Sequence, residues 1–307
     1  MFRTKAAGLP NRYRVRDTGV IVDETIESER MLRWLFEDPI GHVVMRAVVN
    51  HKPFHTFYGR LKDSARSRAE IPGFIARHGI DMREAEREDP GSYRSFNDFF
   101  TRRLKPGARP FPDEPHRLGS PAEGKVLVYP TLGADIRMPV KGMSLGAAAL
   151  LADAELARRF EGGAALVVRL APYDYHRFHF PDDGTAGAPR LIMGEYLSVN
   201  PISLARYPDG FCRNTRAVTL VASRHFGEIA YVEVGATTVG TIVQTHQPGA
   251  PVARGEEKGF FRYGGSTVVL LFEPGRVVFD PDLVADSAAG LEVQVKAGSG
   301  IARAPGS

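Results

Sequence analysis

Residues 263–272 read YGGSTVVLLF, a glycine pair and two hydroxyl residues followed by an unbroken apolar run. The run from Val268 to Phe272 predicts a buried strand, because β-branched and large apolar residues fill it and turn residues bound it. The glycines tolerate positive φ and leave the Gly265 carbonyl open to attack. The hydroxyl of Ser266 therefore either attacks the peptide bond before it or forms the polar corner of a glycine-rich hairpin turn.

Short β-rich segments separated by turn signals surround this run, from about residue 118 to the C-terminal end of the sequence. The predicted strands are 125–129, 165–170, 217–222, 230–234, 238–243, 267–272 and 291–295. One alanine-rich helix is predicted over 145–160, and residues 297–307 are predicted to be frayed. This pattern favours a mostly antiparallel β-sandwich or a partly open barrel.

The first third of the chain has a helical pattern. Ser28 is a candidate helix N-cap, and apolar residues recur at helical spacing over 31–49, with Pro39 dividing the stripe. The other elements predicted in this part are helices at 71–78 and 96–103 and a proline-rich linker at 106–115. The whole chain is therefore predicted to have an α+β fold in which a helical N-terminal layer precedes the β-rich part.

The predicted domain organisation has three parts. Residues 1–27 form a flexible basic arm, residues 28–110 form the helical region, and residues 111–307 form the β-rich domain. The prolines of the linker and the change from helical to strand patterning set the boundary near residue 110.

The composition limits the classes of function. The formal net charge of +4 favours an anionic partner, but no zinc-finger spacing, RNA-recognition signature or glycine-rich phosphate loop is present, so nucleic acid is the weaker option. A single cysteine, Cys212, excludes an internal disulfide and any multi-cysteine metal site. No apolar run approaches the ~18 residues of a transmembrane helix.

Two further segments contain candidate catalytic residues. Residues 170–181 read LAPYDYHRFHFP and contain His176 and His179, and histidine is the natural base for a serine hydroxyl near neutral pH. Residues 120–125 read SPAEGK, where Glu123 is a candidate to orient a histidine and balance its charge. The alternatives are structural histidines, and a surface carboxylate paired with the neighbouring lysine. A metal role for the histidines is weak, because a zinc site needs a third ligand.

These segments occur in the motif order of a known family. FFTRRLKPGARP at 99–110, VNP at 199–201, VGAT at 234–237 and GEEKG at 255–259 add to the set. From about residue 30 almost to its end, the sequence resembles the pyruvoyl-dependent, self-processing phosphatidylserine decarboxylases. One position departs from the family pattern: Glu123 stands where the family usually has aspartate, which keeps the charge but adds a methylene.

The resemblance implies two stages of chemistry in residues 111–307. In the first, His179, supported by Glu123, removes the Ser266 proton, and the oxygen attacks the Gly265 carbonyl to give an ester. β-Elimination then frees chain 1–265, and hydrolysis with loss of ammonia leaves a pyruvoyl group at the start of chain 266–307. In the second, this cofactor forms a Schiff base with the substrate amine and accepts the electrons left by carbon dioxide, with His176 returning a proton to the α-carbon. Neither a metal nor pyridoxal phosphate is implied.

The resemblance also implies a lipid partner. The expected substrate is phosphatidylserine in an anionic membrane, with peripheral attachment at the cytoplasmic face through the basic arm and the stripe at 31–49, where Trp34 and Phe36 lie near basic residues. The alternative for the stripe is packing on the protein's own core. The oligomeric state stays open, with a homo-oligomer as one alternative. Two other functions stay open as well: decarboxylation of a soluble amino acid or another serine conjugate, and an uncleaved, inactive membrane-surface protein.

Overall fold

The computed structural model describes residues 12–26, 28–132, 137–140, 143–207, 209–235, 242–264 and 266–307, with the backbone alone for 137–140 and 143–145. The described α-helices are α1 (Glu29–Glu37), α2 (Pro39–Val44), α3 (Lys52–Asp63), α4 (Ile71–His78), α5 (Phe96–Phe100), α6 (Ala147–Leu151), α7 (Ala154–Arg158), α8 (Pro201–Arg206), α9 (Gly210–Arg213) and α10 (Pro281–Ala288). A π-helical turn, Met45–Val49, continues α2, and 3-10 turns cover Ala65–Glu70, Met82–Glu84 and Pro90–Ser92.

The described strands are β1 (Arg12–Val15), β2 (Ile21–Asp23), β3 (Arg117–Gly119), β4 (Gly124–Tyr129), β5 (Arg137–Val140), β6 (Met143–Gly146), β7 (Ala164–Leu170), β8 (Arg177–His179), β9 (Gly184–Ala186), β10 (Arg190–Ile192), β11 (Arg216–Ser223), β12 (Gly227–Gly235), β13 (Ile242–Gln244), β14 (Pro251–Val252), β15 (Glu257–Phe261), β16 (Ser266–Phe272), β17 (Val278–Phe279), β18 (Glu292–Val295) and β19 (Gly300–Arg303). An 11-stranded sheet has the order β14-β9-β11-β12-β16-β7-β4-β18-β1-β2, and β10 also pairs with β11. The smaller sheets are β13-β15-β8, β17-β19-β3 and β5-β6.

Strand β16 lies in the interior of the large sheet, between β12 and β7, and all 7 of its residues are buried. Val268 and Leu270 pack in one core cluster together with Phe178. Val269 packs in a second cluster with Leu204. Because both faces of the strand are covered, its sequence is continuously apolar rather than alternating. Each fully buried aliphatic side chain contributes about 1.5–3 kcal/mol, so β16 is a major part of the core.

The predicted α+β class is confirmed. Most strand pairs are antiparallel, but β1 pairs in parallel with β18, so the large sheet is mixed. Over the described residues it is an open sheet, ending at β14 and β2, and is not closed into a barrel. Six predicted strands correspond to β4, β7, β11, β12, β16 and β18, whereas most of the seventh, 238–243, lies outside the described residues. The three-part division of the chain stays a prediction.

The single helix predicted over 145–160 is wrong. β6 covers the first part of this range, and two short helices, α6 and α7, follow. Ala152 has a left-handed φ of 47° and ends α6, while the side chain of Asp153 accepts a hydrogen bond from the Leu156 N–H at 2.9 Å and begins α7. The break lets both helices bury apolar side chains in the second cluster, which outweighs the high helix propensity of alanine.

The prediction of a frayed end over 297–307 is also wrong. Strand β19 pairs with both β3 and β17, and the side chains of Ile301 and Ala302 are fully buried. Backbone pairing on both sides of β19 orders a segment whose small and polar composition gives little strand signal.

The flexible arm predicted over 1–27 is wrong for residues 12–23. These residues form β1 and β2, which join the large sheet beside β18. Arg14 binds Asp286 at 2.7 Å, and Arg16 binds Asp280 at 2.6 Å. The two arginines are therefore paired within the protein. Residues 1–11 lie outside the described residues.

In the helical layer, the predicted cap of the first helix is wrong, whereas most of the predicted helices are present. Ser28 has a left-handed φ of 57° and makes no side-chain cap with the described start of α1, so the predicted N-cap is wrong. Instead, Asp38 caps α2 by accepting hydrogen bonds at its side chain, with Pro39 as the first helical residue. The helix predicted at 71–78 is confirmed as α4, and the one predicted at 96–103 ends earlier, as α5.

The apolar stripe at 31–49 is divided between two environments. Leu35 and Phe36 are buried in a cluster that also contains Leu197, so part of the stripe packs on the protein itself. Trp34, by contrast, is 44% exposed, and Val43 is 64% exposed. Packing on the protein's own core is therefore confirmed for Leu35 and Phe36, whereas membrane contact by the exposed residues of the stripe stays a prediction.

Candidate active site

Ser266 is the first residue of β16, where it faces Gly235 of β12 and Leu170 of β7. Its side chain is 0% exposed, and its Oγ has no hydrogen-bond partner among the described residues. An unsatisfied buried hydroxyl costs about 1–3 kcal/mol, so stability does not explain a serine here. A buried hydroxyl without a hydrogen-bond partner is therefore a candidate for a reactive group.

The segment before Ser266 crosses from one sheet to another. β15 pairs with β13 and β8, whereas β16 pairs with β12 and β7, so the two strands are not the arms of one hairpin. The hairpin-corner interpretation of Ser266 is therefore wrong. Gly264 has a φ of 145°, a conformation that favours glycine, as the glycine pair predicted. Gly265, the predicted cleavage site, lies outside the described residues.

His176 lies in the loop that follows β7, and a buried ion pair fixes this loop. Asp174 accepts hydrogen bonds from the backbone N–H of Ala171 at 2.7 Å and from the ammonium of Lys125 at 2.9 Å. The backbone carbonyl of Asp174 lies 2.8 Å from Nδ1 of His176. Because a carbonyl only accepts, Nδ1 carries the proton and Nε2 carries the lone pair.

The ring of His176 is neutral and lies next to the segment that precedes Ser266. Burial lowers the pKa of His176 to about 3, although the backbone of Asp174 and that of Gly264 oppose the shift. The ring packs on Phe100 with 4.0 Å between centroids, and Phe100 packs on Tyr263, so the imidazole is close to the predicted cleavage segment. Nε2 has no hydrogen-bond partner among the described residues, so its lone pair is available as a base.

His179 is a second neutral base with the same tautomer. Its Nδ1 lies 3.0 Å from the carbonyl of Gly255, and its Nε2 has no partner within the described part of the chain. Burial lowers the pKa of His179, whereas Glu257 raises it. Glu257 is its cross-strand neighbour on β15 and binds Arg177 at 2.6 Å.

Glu123 is part of a separate ion-pair network. Its carboxylate accepts a hydrogen bond from Nε of Arg109 at 2.5 Å, and the same guanidinium binds Glu84 at 2.8 Å. Burial lowers the pKa of Arg109, but the two carboxylates outweigh burial and raise it overall. The alternative pairing with Lys125 is wrong, because that ammonium binds Asp174.

The structure thus does not join Glu123 to His179 through any hydrogen bond among the described residues. The two are linked through the backbone instead, since the carbonyl of Pro121 accepts a hydrogen bond from the His179 N–H at 2.8 Å. The turn that contains Glu123 therefore contacts the strand that contains His179.

Sequence reasoning missed three residues of this neighbourhood, although each lies in a motif already quoted. Arg109 is the next-to-last residue of the 99–110 motif, Asp174 lies two residues before the first histidine, and Glu257 is in GEEKG. Their partners are between 14 and 80 residues away along the chain, so the motifs alone did not reveal the ion pairs.

A cavity of 360 Å³ reaches the segment that precedes Ser266. Its walls come from α1, the Met45–Val49 turn, α3 and the segments that follow β7 and β10, and Tyr263 and Gly264 are among its lining residues. The lining is mainly apolar and includes Trp34 and Leu35. The cavity therefore suits a long apolar group whose polar end faces the segment before Ser266.

Comparison with known proteins gives the family. The family model for phosphatidylserine decarboxylase matches residues 96–303. The chain is 40% identical over 278 residues to the phosphatidylserine decarboxylase proenzyme of Ruminiclostridium cellulolyticum, which covers 91% of this chain and 92% of that protein. This chain belongs to the phosphatidylserine decarboxylase family. A second member of the family, the proenzyme of Desulfitobacterium hafniense strain DCB-2, is 40% identical over 290 residues, 94% of this chain and 97% of its own length.

Membership in the phosphatidylserine decarboxylase family confirms the resemblance drawn from the motifs. The proenzyme of Chlamydia trachomatis serovar L2, at 40% identity over 291 residues, extends the match to 95% of this chain and 96% of its own length. Within the described ranges, none of the helices is long and apolar enough to cross a bilayer. The same ranges contain no group of three metal-ligating side chains.

Proposed function

We propose that the chain cleaves itself between Gly265 and Ser266 and then decarboxylates phosphatidylserine to phosphatidylethanolamine. The observation that carries this proposal is the buried Ser266 hydroxyl, which has no partner among the described residues and lies two residues after the positive-φ Gly264. The apolar cavity reaches Gly264, and the ring of His176 packs on Phe100, which also packs on Tyr263. Family membership supplies the reaction class.

For the first stage, we assign removal of the Ser266 proton to His179. Its Nδ1 is fixed on a backbone carbonyl, and its Nε2 bears the lone pair that a general base needs. The serine oxygen then attacks the Gly265 carbonyl, and the chain separates into 1–265 and 266–307. We assign Glu123 a supporting role, in which its bond to Arg109 fixes the turn that contacts His179.

For the second stage, the pyruvoyl group formed from Ser266 supplies the electron-accepting carbonyl that carbon dioxide loss requires. Ser266 fits this role, because β16 presents it in a buried position two residues after Gly264, which lines the cavity. We assign His176 to proton return. Since the pKa of His176 is about 3, the ring passes on only a proton that it has first taken within the site.

The apolar residues near the cavity support a lipid substrate and peripheral attachment. Met31 and Trp34 line the cavity and are also exposed at the surface. Val43 and Phe57, on the neighbouring helices α2 and α3, are exposed as well. Such a surface binds a bilayer reversibly without a spanning helix. We place it at the cytoplasmic face of an anionic membrane, where acyl chains would enter the cavity and the serine headgroup would face Gly264.

Intact mass measurement tests self-cleavage. Purified wild-type protein is expected to give two chains, 1–265 and 266–307, with the smaller one blocked at its N-terminus. Ser266→Ala is the control and is expected to remain one chain. Wild-type protein that stays full length after long incubation would favour the uncleaved membrane-surface protein and overturn the proposal.

A substrate comparison tests the lipid assignment. Carbon dioxide release is expected from vesicles that contain phosphatidylserine and not from free serine at the same concentration. Equal turnover of free serine, together with failure to bind vesicles, would overturn the lipid assignment and favour a soluble substrate.

A further inference from the structure

Tyr263, the third residue before the scissile bond, is fixed to the helical layer by its backbone. The N–H of Tyr263 donates a hydrogen bond to Oδ1 of Asn97 at 2.9 Å. Asn97 lies on α5, is only 3% exposed, and donates from Nδ2 to Oδ1 of Asp63, on α3, at 2.8 Å. The two partners settle the orientation of the amide, because its oxygen must face an N–H and its nitrogen must face a carboxylate.

The ring of Tyr263 is enclosed by the same two helices. Its centroid lies 5.1 Å from that of Phe96, 5.0 Å from that of Phe100 and 6.0 Å from that of Tyr58. The ammonium of Lys62 lies 5.1 Å from the centre of the Tyr263 ring, at a distance where a buried cation is attracted to an aromatic face. Tyr263 is therefore held at both its backbone and its side chain.

The residue after the scissile bond is also fixed, but by the large sheet. Ser266 is paired with β12 on one side and with β7 on the other. Only Gly264 and Gly265 separate it from Tyr263. Attack within the chain requires the serine oxygen and the carbonyl carbon to be held in near-attack geometry. The two fixed residues on either side therefore limit where the two intervening glycines can present the carbonyl that is attacked.

We propose that Asn97 is a positioning residue for self-cleavage, which holds the segment before the scissile bond through the Tyr263 N–H while Asp63 fixes its amide. This inference rests on the proposed self-cleavage and adds the helical layer to it. Within the described part of the chain, neither side chain is hydrogen-bonded to the Ser266 hydroxyl. Both act by placing the Gly265 carbonyl relative to Ser266.

The test exchanges the amide and the carboxylate of the Asn97–Asp63 pair, first at one position and then at both. Asn97→Asp keeps an oxygen for the Tyr263 N–H but sets a second carboxylate against Asp63. We expect self-cleavage, followed by intact mass, to slow by about 10–100-fold, because small misplacement of reacting groups costs this much. The double variant Asn97→Asp/Asp63→Asn restores one donor and one acceptor in reversed order and is expected to cleave within about threefold of wild type.

Asn50 offers a matched control in the same helical layer. Its Oδ1 accepts a hydrogen bond from the Tyr196 N–H at 2.9 Å, and its Nδ2 donates to Glu195 at 2.6 Å, so it has the same pair of partners without contact to the cleavage segment. Asn50→Asp introduces the same repulsion and is expected to cleave at the wild-type rate. Thermal denaturation of the same variants measures any general loss of stability.

Each outcome separates the inference from the function on which it rests. Wild-type cleavage with equally fast cleavage of Asn97→Asp would overturn the inference alone. Equal slowing in Asn50→Asp, or a double variant as slow as Asn97→Asp, would also overturn it, because the loss would then follow general destabilisation. A wild-type chain that never cleaves would overturn the proposed function and the inference with it.

Discussion

Acid is expected to destabilise the fold through His176. The pKa of this group is about 3 in the folded protein, against 6.5 for an ordinary histidine. The unfolded chain therefore binds more protons than the folded chain between these two values, so stability falls as pH falls through this window. Between pH 7 and pH 5 the linkage from this one ring lowers the free energy of unfolding by about 2 kcal/mol.

Urea unfolding at pH 7 and pH 5 measures this effect. The Ser266→Ala chain is the starting protein, since it is expected to stay in one piece. Adding His176→Gln is expected to reduce the pH difference in the free energy of unfolding by about 2 kcal/mol. An unchanged pH difference in the His176→Gln protein would refute the assignment of a buried neutral ring.

Three further predictions concern the chemistry and the membrane. His179→Ala is expected to slow cleavage by about 10²–10⁴-fold, whereas His176→Ala is expected to give two chains that release no carbon dioxide. Glu123→Gln is expected to slow cleavage about tenfold, because the buried Arg109 loses a charged partner. Val43→Ser is expected to weaken co-sedimentation with anionic vesicles, because the residue is exposed and apolar, and to leave cleavage unchanged.

The same assays can contradict each of these three predictions. Normal cleavage and turnover in both histidine variants would remove both rings from the mechanism. Cleavage of Glu123→Gln at the wild-type rate would show that the ion pair with Arg109 is not required for cleavage. Undiminished vesicle binding by Val43→Ser would place the attachment surface elsewhere on the protein.

The central strand could be predicted from the sequence, because its signal is local. Residues buried on both faces produce a continuous apolar run, so β16 is visible without any partner, although it begins at Ser266, one residue before the predicted start. The histidine segment and the glycine pair were equally visible, since their chemistry depends on residue type and order. These local signals were sufficient for the family and for the α+β class.

Elements that depend on distant partners could not be predicted. β19 has a small and polar sequence and is ordered by pairing with two other strands. Ala152 takes a left-handed conformation that alanine disfavours, because packing of α6 and α7 on the sheet outweighs propensity. The contact between Asn97 and Tyr263 joins residues 166 positions apart, which no local pattern reports.

The strand order of the large sheet has a consequence for the processed protein. In the order β12-β16-β7-β4-β18-β1, each strand that follows residue 265 lies between two strands that precede it: β16 between β12 and β7, and β18 between β4 and β1. The two products of the proposed cleavage would thus be interleaved rather than docked, and neither would retain a complete sheet when it is alone. Exchange of one product between molecules would then require unfolding. We therefore expect a processed molecule to be a pair of chains that forms only from a single polypeptide.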